Sequence, residues 1–458
     1  MQKKLRLYYW ITIAFLEKYL LYVSVSFFVT SFAIAMYVFF SKDILRFFDT
    51  QRVVVGIAGK ITLNNLPPEV LGDVTIPLFV RNKETGEYTS EIVEKWERNK
   101  DSTVYTLYLK PYLTYTDNSP FTSKDVHVRI KDVPLERPDD LTIIFRLPKS
   151  FPQFLSYLTD YVYSTTPFRG IKGAYIVSTV RYSKNKDSIS ELVLTPLTLD
   201  MPQKVFRVYT NENDLANAYK LREIDRFATT SKAAYEDFLK WPKIDAIKGA
   251  DFNKVTTLFF NLNHTFLKEK DVRTAIFGSI PIKNLEDVGS LAVSPVSATS
   301  DMYDATIPRI PENPELDRNI LRKYFRQASE SAKFRLSTSF QFLNLAHAIQ
   351  DIIQGAGGVC TVDINGLQPG EQADMVLGLW DIPLELNQYF IWHSSQKGKT
   401  NISNYDNKRV DKILEDYRAT DEAELQKKLM SDFQKRIADD LPAAFLYYPS
   451  LYTIERKQ

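Results

Sequence analysis

The chain has 458 residues, 44% apolar and 25% charged, which is enough for two or three domains with a large core and excludes a disordered polymer. Its net charge of +2 divides unevenly: residues 1–50 hold six Lys/Arg against three acids, leaving 52 basic and 53 acidic residues, and so near-neutral a body argues against a nucleic-acid partner. Cys360 is the lone cysteine, which excludes an intramolecular disulfide, a thiolate metal cluster and a lipidated N-terminal cysteine. It lies in the apolar run GGVCTVDI and reads as a buried strand residue. With 29 Phe, 26 Tyr and 5 Trp, the chain has rings enough for a β-rich core and for a cavity wall or a membrane interface besides.

Residues 19–40, YLLYVSVSFFVTSFAIAMYVFF, are 22 positions without a charge. As a helix they span roughly 33 Å, against a hydrocarbon core of about 30 Å, so they read as a transmembrane helix. Lys3, Lys4, Arg6 and Lys18 precede this run, which places the N-terminus in the cytoplasm and residues 50–458 outside. The run is too long for a signal-peptide core, and Phe39-Phe40-Ser41-Lys42 is no small-residue cleavage site. Residues 5–16 are apolar enough to lie along the inner leaflet.

Beyond the anchor, residues 52–63 read as a first strand that ends in the turn Asn64-Asn65-Leu66-Pro67-Pro68. Residues 70–80 fit a short helix or a strand. The alternation of STVYTLYLK at 102–110 predicts a half-buried strand, Asp117-Asn118-Ser119-Pro120 a turn, and Thr122 the cap of a helix starting near Lys124. Further on, residues 334–338 predict a strand, 343–353 an amphipathic helix stopped by Gly355, Gly357 and Gly358, and 359–364 the next strand of a βαβ unit. Residues 374–380 predict another strand, running into some thirty residues with no sustained helical period, a long ordered loop of the kind that carries function. Two helices at 410–417 and 422–438 and a strand at 445–454 complete the pattern.

The order of these pieces resembles a known family. Tyr105-Thr106-Leu107-Tyr108-Leu109-Lys110, followed by YTDNSPFTSKDV at 115–126, is similar to the YTFxLR strand and DGxPxTAxDV turn of the family 5 extracellular solute-binding proteins, the peptide- and nickel-binding receptors of ATP-driven importers. Asn118-Ser119 stand where that family favours glycine and a short residue, and Lys110 replaces arginine. Gly173-Ala174-Tyr175 resembles the GPY turn, and residues 206–225 resemble a strand, a helix and the GEID element, with Arg222 for glycine, so that turn must be built differently. TLFFNLN at 257–263 with DVRTAI at 271–276, NPELD at 313–317 and FLYYPSLYTI at 445–454 continue the likeness. It covers roughly residues 52–456, most weakly across 127–250.

In that family a loop aspartate pairs with a peptide's amino group, and one subgroup follows a DPDP stretch with WHSSQ and N…Y.NP..D. Here WHSSQ at 392–396 and NISNYDNKRVD at 401–411 fit, the acidic DPDP positions fall on Glu385 and Asn387, and Leu386 and Gln388 replace the prolines. The resemblance therefore implies Glu385 as amine partner, with Asp381 second, through a charge-assisted pair. Trp380, Tyr389 and Trp392 either cover ligand side chains or anchor the loop; His393 either donates to the ligand or holds the loop; Asn261 and Asn387 offer polar contacts. Asp117 and Asp125 read as turn and cap residues.

His127, His264, His347 and His393 are scattered, and no HExxH, GxSxG, Walker or dinucleotide glycine pattern is present, so the reading is not an enzyme and carries no cofactor and no metal. The expected architecture is α/β: a two-lobed periplasmic-binding-protein-like fold with an extra small subdomain, preceded by one transmembrane helix. Residues 1–50 form the anchor, 51–255 lobe I with a subdomain at about 67–165, 256–440 lobe II, and 441–458 return to lobe I. The expected function is a monomeric, single-pass, membrane-anchored receptor that captures a short peptide or similar extended solute for an ABC permease. A sensory or structural ectodomain of the same fold is the other reading.

Overall fold

The computed structural model describes residues 52–82, 85–128, 133–198, 200–281, 288–327, 332–364, 373–383 and 387–457, with scattered positions between 6 and 34. Those scattered positions are helical, with Leu20, Leu21, Phe27 and Phe28 exposed. Among the described residues no helix is long and apolar enough to cross a membrane, and positions 23, 33 and 35–40 of the expected span lie outside them.

The first described strand, β1 (Arg52–Ala58), is β-branched and buried at its middle. Helix α1 (Pro68–Val74) opens on proline, where a missing N–H costs nothing, and buries Val70, Leu71 and Val74. A small subdomain follows, with the hairpin β2 (Val80–Arg81) and β3 (Tyr88–Thr89), then β4 (Val93–Arg98), β5 (Val104–Leu109), β6 (Leu135–Glu136) and β7 (Thr142–Arg146) in the antiparallel order β4-β5-β7-β6. The predicted alternation of β5 holds: Tyr105, Leu107 and Leu109 face the subdomain core. Thr122 is a cap, as expected, and forms a capping box with Asp125, but in place of the expected helix there is a single 3-10 turn, Ser123–Asp125, because Val126 reverts to extended backbone.

The chain returns through β8 (Tyr163–Thr165) and β9 (Phe168–Gly170) to β10 (Tyr175–Tyr182), β11 (Ile189–Pro196), β12 (Gln203–Tyr209), α2 (Glu212–Lys220), β13 (Arg226–Thr229), α3 (Lys232–Phe238) and β14 (Ile244–Ala250). Gly173 of the Gly-Ala-Tyr turn sits against α1, where a Cβ would lie 2.2 Å from the Val74 carbonyl oxygen. The GEID-like turn corrects an expectation: Arg222 adopts φ 63°, so the left-handed turn is kept with a side chain on it, at a cost of about 1–2 kcal/mol. Asn118, in place of the other family glycine, takes φ 65°, a conformation asparagine tolerates.

The second half contains β15 (Lys254–Phe260), α4 (Lys270–Gly278), β16 (Gly289–Leu291), α5 (Pro314–Gln327), β17 (Lys333–Ser337), α6 (Leu343–Gly355), β18 (Val359–Asp363) and β19 (Met375–Asp381). The predicted βαβ unit is present, β17 and β18 pairing in parallel around α6. Cys360 is buried there, which pushes its thiol up to about 11. The expected long loop contains a short helix, α7 (Gln388–Trp392), and is followed by α8 (Lys408–Ala419), α9 (Ala423–Asp440) and β20 (Ala443–Arg456).

One twelve-stranded sheet runs through both halves, in the order β10-β11-β12-β1-β13-β20-β15-β19-β17-β18, with β14 and β16 also on β20. The first part of β20, from Ala443, pairs with β15 and β16, and its last part, to Arg456, with β13 and β14. We call the β1/β10–β14 part lobe I and the β15–β19 part lobe II; each packs its own apolar clusters against its helices.

Candidate ligand-binding cleft

A cleft of about 1040 Å³ opens beside the subdomain. Asn64 of the turn after β1, Asp125 of the capped turn and His127 after it, and Tyr157, Asp160 and Tyr161 ahead of β8 contribute to its walls. One of these wall residues is tied to lobe II: the Tyr157 hydroxyl donates to Asn387 Oδ1 at 2.9 Å. Burial raises the Tyr157 phenol while the nearby Arg418 charge pulls it back, so the phenol stays protonated and able to donate at neutral pH.

The loop that presents Asn387 is held from within. Trp392 is 2% exposed and its indole N–H donates to Gln388 Oε1 at 2.8 Å, while Gln388, fully buried, donates to the Pro295 carbonyl at 2.9 Å. His393 is 6% exposed; its Nδ1 accepts from the Ser395 N–H at 3.1 Å, leaving Nε2 to donate to Glu415 at 3.4 Å, and its ring stacks on Tyr389 at 4.2 Å. Ser394 donates its N–H to Asp411 at 2.8 Å, tying the Trp-His-Ser-Ser segment to α8. Trp392 and His393 are thus spent on the frame of the loop, not on an open wall.

Trp380 packs edge-on against Phe259 at 5.3 Å, half-buried in the lobe II core. Asp381 is exposed at the end of β19, opposite Lys254. Asn261 accepts from the Asn263 N–H and from Asn404 Nδ2, both at 3.1 Å, and so ties β15 to the loop after α7. Glu385 lies outside the described residues, as do Leu384 and Leu386. Of the predicted residues, the structure gathers Asn387, Tyr389, Trp392 and His393 around α7; Trp380 joins their apolar cluster through Phe259, and Asn261 binds elsewhere on the loop.

No family model matches the sequence. A 77-residue stretch is 36% identical to the oligopeptide-binding protein AppA of Bacillus subtilis (strain 168), spanning 17% of this chain and 14% of that protein. Among solved structures, the chain superposes on AppA from Bacillus subtilis in complex with a nonapeptide with a TM-score of 0.65 at 16% identity, covering 89% of this chain and 94% of that one. A nickel ABC transporter protein from Bacillus halodurans superposes with a TM-score of 0.73 at 14% identity, covering 89% and 95%. The chain has the fold of the family 5 solute-binding proteins.

Within that fold the subdomain grips lobe II beside the cleft. Gln153, 6% exposed, donates to the carbonyls of Tyr417 and of Thr420, the latter at 2.7 Å, both at the end of α8. Arg81 meets both carboxylate oxygens of Asp301 at 3.0 Å, and Arg98 pairs with Asp421 at 2.6 Å. Sequence reasoning missed Tyr157, Gln153 and Arg418, because each joins the subdomain to lobe II across more than 200 positions and no local period marks them.

Proposed function

We propose that the chain is a membrane-tethered, extracytoplasmic receptor that captures an extended solute, a short peptide, between its lobes and hands it to an ABC permease. The observation that carries this reading is the large cleft beside the subdomain, one of whose wall residues, Tyr157, is hydrogen-bonded to Asn387 of lobe II. A two-lobed fold encloses a ligand by hinge motion, and an extended backbone bound in such a cleft gains affinity that is indifferent to side chains. The structural relatives named above include one solved with a nonapeptide, which favours a peptide over other solutes. The fold alone does not require transport, so the permease partner, a monomeric state and the anchor belong to the proposal.

The anchor is supported by the first segment: helical at its described positions, it leaves Leu20, Leu21, Phe27 and Phe28 exposed, and a helix apolar on all sides suits lipid. Protease added to intact cells should then digest the lobes and spare the N-terminus.

Ligand capture is tested by calorimetry of the full chain with short peptides, which should bind with a negative heat-capacity change; silence across the peptide set would sink the receptor reading. Glu385→Gln is expected to weaken free-amine peptides by about 10- to 100-fold and N-acetylated ones far less, as loss of a charge-assisted pair requires. Equal weakening of both would remove Glu385 from the role.

A further inference from the structure

Helices α2 and α3 of lobe I end side by side. Lys220, the last residue of α2, pairs with Asp237 of α3 at 3.0 Å and lies 5.6 Å from the Phe238 ring, which packs against Trp241 at 5.5 Å. The chain leaves both helices through apolar residues turned to solvent: Leu221 is 71% exposed, Leu239 54% and Trp241 37%. Beside them stand Arg222, Lys240 and Lys243, all exposed and, among the described residues, without an acidic partner. Apolar side chains gathered on a surface and bordered by charge mark an interaction site. A tryptophan set among lysines matches a bilayer boundary, where the ring lies at headgroup level and the cations meet anionic lipid.

The path of the chain supports the same partner. Asp225, which follows the turn at Leu221 and Arg222, accepts from the Val54 N–H at 2.9 Å, close to the start of β1 at Arg52. Arg456 donates its N–H to the Asp225 carbonyl at 3.1 Å and Lys457 donates to the Lys243 carbonyl at 3.0 Å, so the patch shares one rim with the start of β1. Three strand spacings, from β1 through β13 and β20 to β14, put the far side of the patch roughly 15 Å from that entry. The charge-free run ends at position 40, and the eleven residues 41–51 reach at most about 40 Å. A lobe entered by this rim on so short a tether keeps the patch within reach of the bilayer. Docking there leaves the cleft free, because Leu66 and Leu71 of its wall pack on the Val55 face of the lobe I sheet, whereas α2 and α3 cover the opposite, Val54 face.

Resting on the tethered reading above, we propose that this rim of lobe I docks on the anionic lipid surface that holds the anchor. Leu221, Leu239 and Trp241 enter the headgroup layer, and Arg222, Lys240 and Lys243 supply the attraction.

The test uses the full chain reconstituted through its N-terminus into vesicles of phosphatidylcholine, with or without phosphatidylglycerol, whose brominated acyl chains quench tryptophan. The quenching owed to Trp241 is the difference between the wild type and Trp241→Phe. It should be large in anionic vesicles, small in neutral ones, and reduced in about 1 M salt, where screening acts within about 3 Å. A cation near an anionic surface contributes about fivefold, so Arg222→Glu, Lys240→Glu and Lys243→Glu together should lower the ratio of docked to free lobe by roughly 100-fold or more. Peptide binding by that triple variant should match the wild type; if the variant does not fold, the lipid and salt series decide. No quenching owed to Trp241 in anionic vesicles, or equal quenching in neutral ones, overturns the proposal while the tether and receptor readings stand. Shielding of Trp241 only in membranes that retain their proteins overturns it too, and assigns the patch to a protein partner. A full chain that does not float with the vesicles removes the tether and this proposal together, and leaves ligand capture to its own test.

Discussion

The two lobes meet along two seams of opposite construction. On one, β15 and β20 carry a continuous backbone ladder through apolar clusters; on the other, among the described residues, the subdomain reaches lobe II through the side chains of Gln153, Arg81, Arg98 and Tyr157, with Phe151 packed beside them. A ladder buried among packed side chains opens only with global unfolding, whereas a handful of polar contacts opens locally. The difference teaches where a hinge can work: the strand seam bends and stays joined, and the polar seam parts.

Leu258 is the sharpest place to break the first seam, being fully buried between Ala444 of β20 and Leu377 of β19. Leu258→Ala should cost about 2–5 kcal/mol of global stability, read by urea denaturation, without separating the lobes below the unfolding transition. The second seam should respond differently. Gln153→Ala removes one donor from each of the Tyr417 and Thr420 carbonyls, the latter keeping that of Gln426, and should cost about 1 kcal/mol, but it should also enlarge the folded protein in small-angle scattering. A variant as compact as the wild type would show that the polar seam does not hold the lobes together.

The smallest effect concerns pH. The loop presenting Asp301 to Arg81 is pinned by Asp304, which accepts from Ser431 and Thr306, each at 2.6 Å, and lies 3.2 Å from Lys435. Burial alone raises this carboxyl, but those donors outweigh it and hold it well below the ordinary carboxylate range. A depressed folded pKa stabilises above the unfolded value of about 4 and is lost as pH falls through the folded one. Melting temperature should therefore decline between about pH 5 and about pH 2, and Asp304→Asn should start lower and flatten that decline. An unchanged slope in the variant would take Asp304 out of the account.

Much of the fold was legible because it is written in local periods: the alternation of Tyr105, Leu107 and Leu109, the Thr122 to Asp125 cap, and the βαβ unit around Cys360 all sit where the residue pattern places them. The turn at Arg222 was misjudged because a left-handed conformation is a matter of cost, and its neighbours evidently cover that cost. The candidate site was legible as a region and much less as a set of contacts. Trp392 and His393 look the same in sequence whether they face a ligand or brace a loop, and only Gln388, Ser395 and Glu415 distinguish the two. Arg418 carries no motif; its guanidinium packs over Phe151, which is 267 positions away and joined to it by no local rule.

The long strand β20 has a consequence for biosynthesis. It follows every strand it pairs with, so β13 and β15 leave the ribosome without their common neighbour. At about 5–20 residues per second, β13 waits on the order of 10–40 s for residues 443–456 to be made. During that interval two open sheet edges need protection, and neither lobe can finish folding ahead of the other. Assembly of the two lobes is thereby coupled to one late event, and a chaperone that shields unpaired edges is the cellular helper this topology calls for.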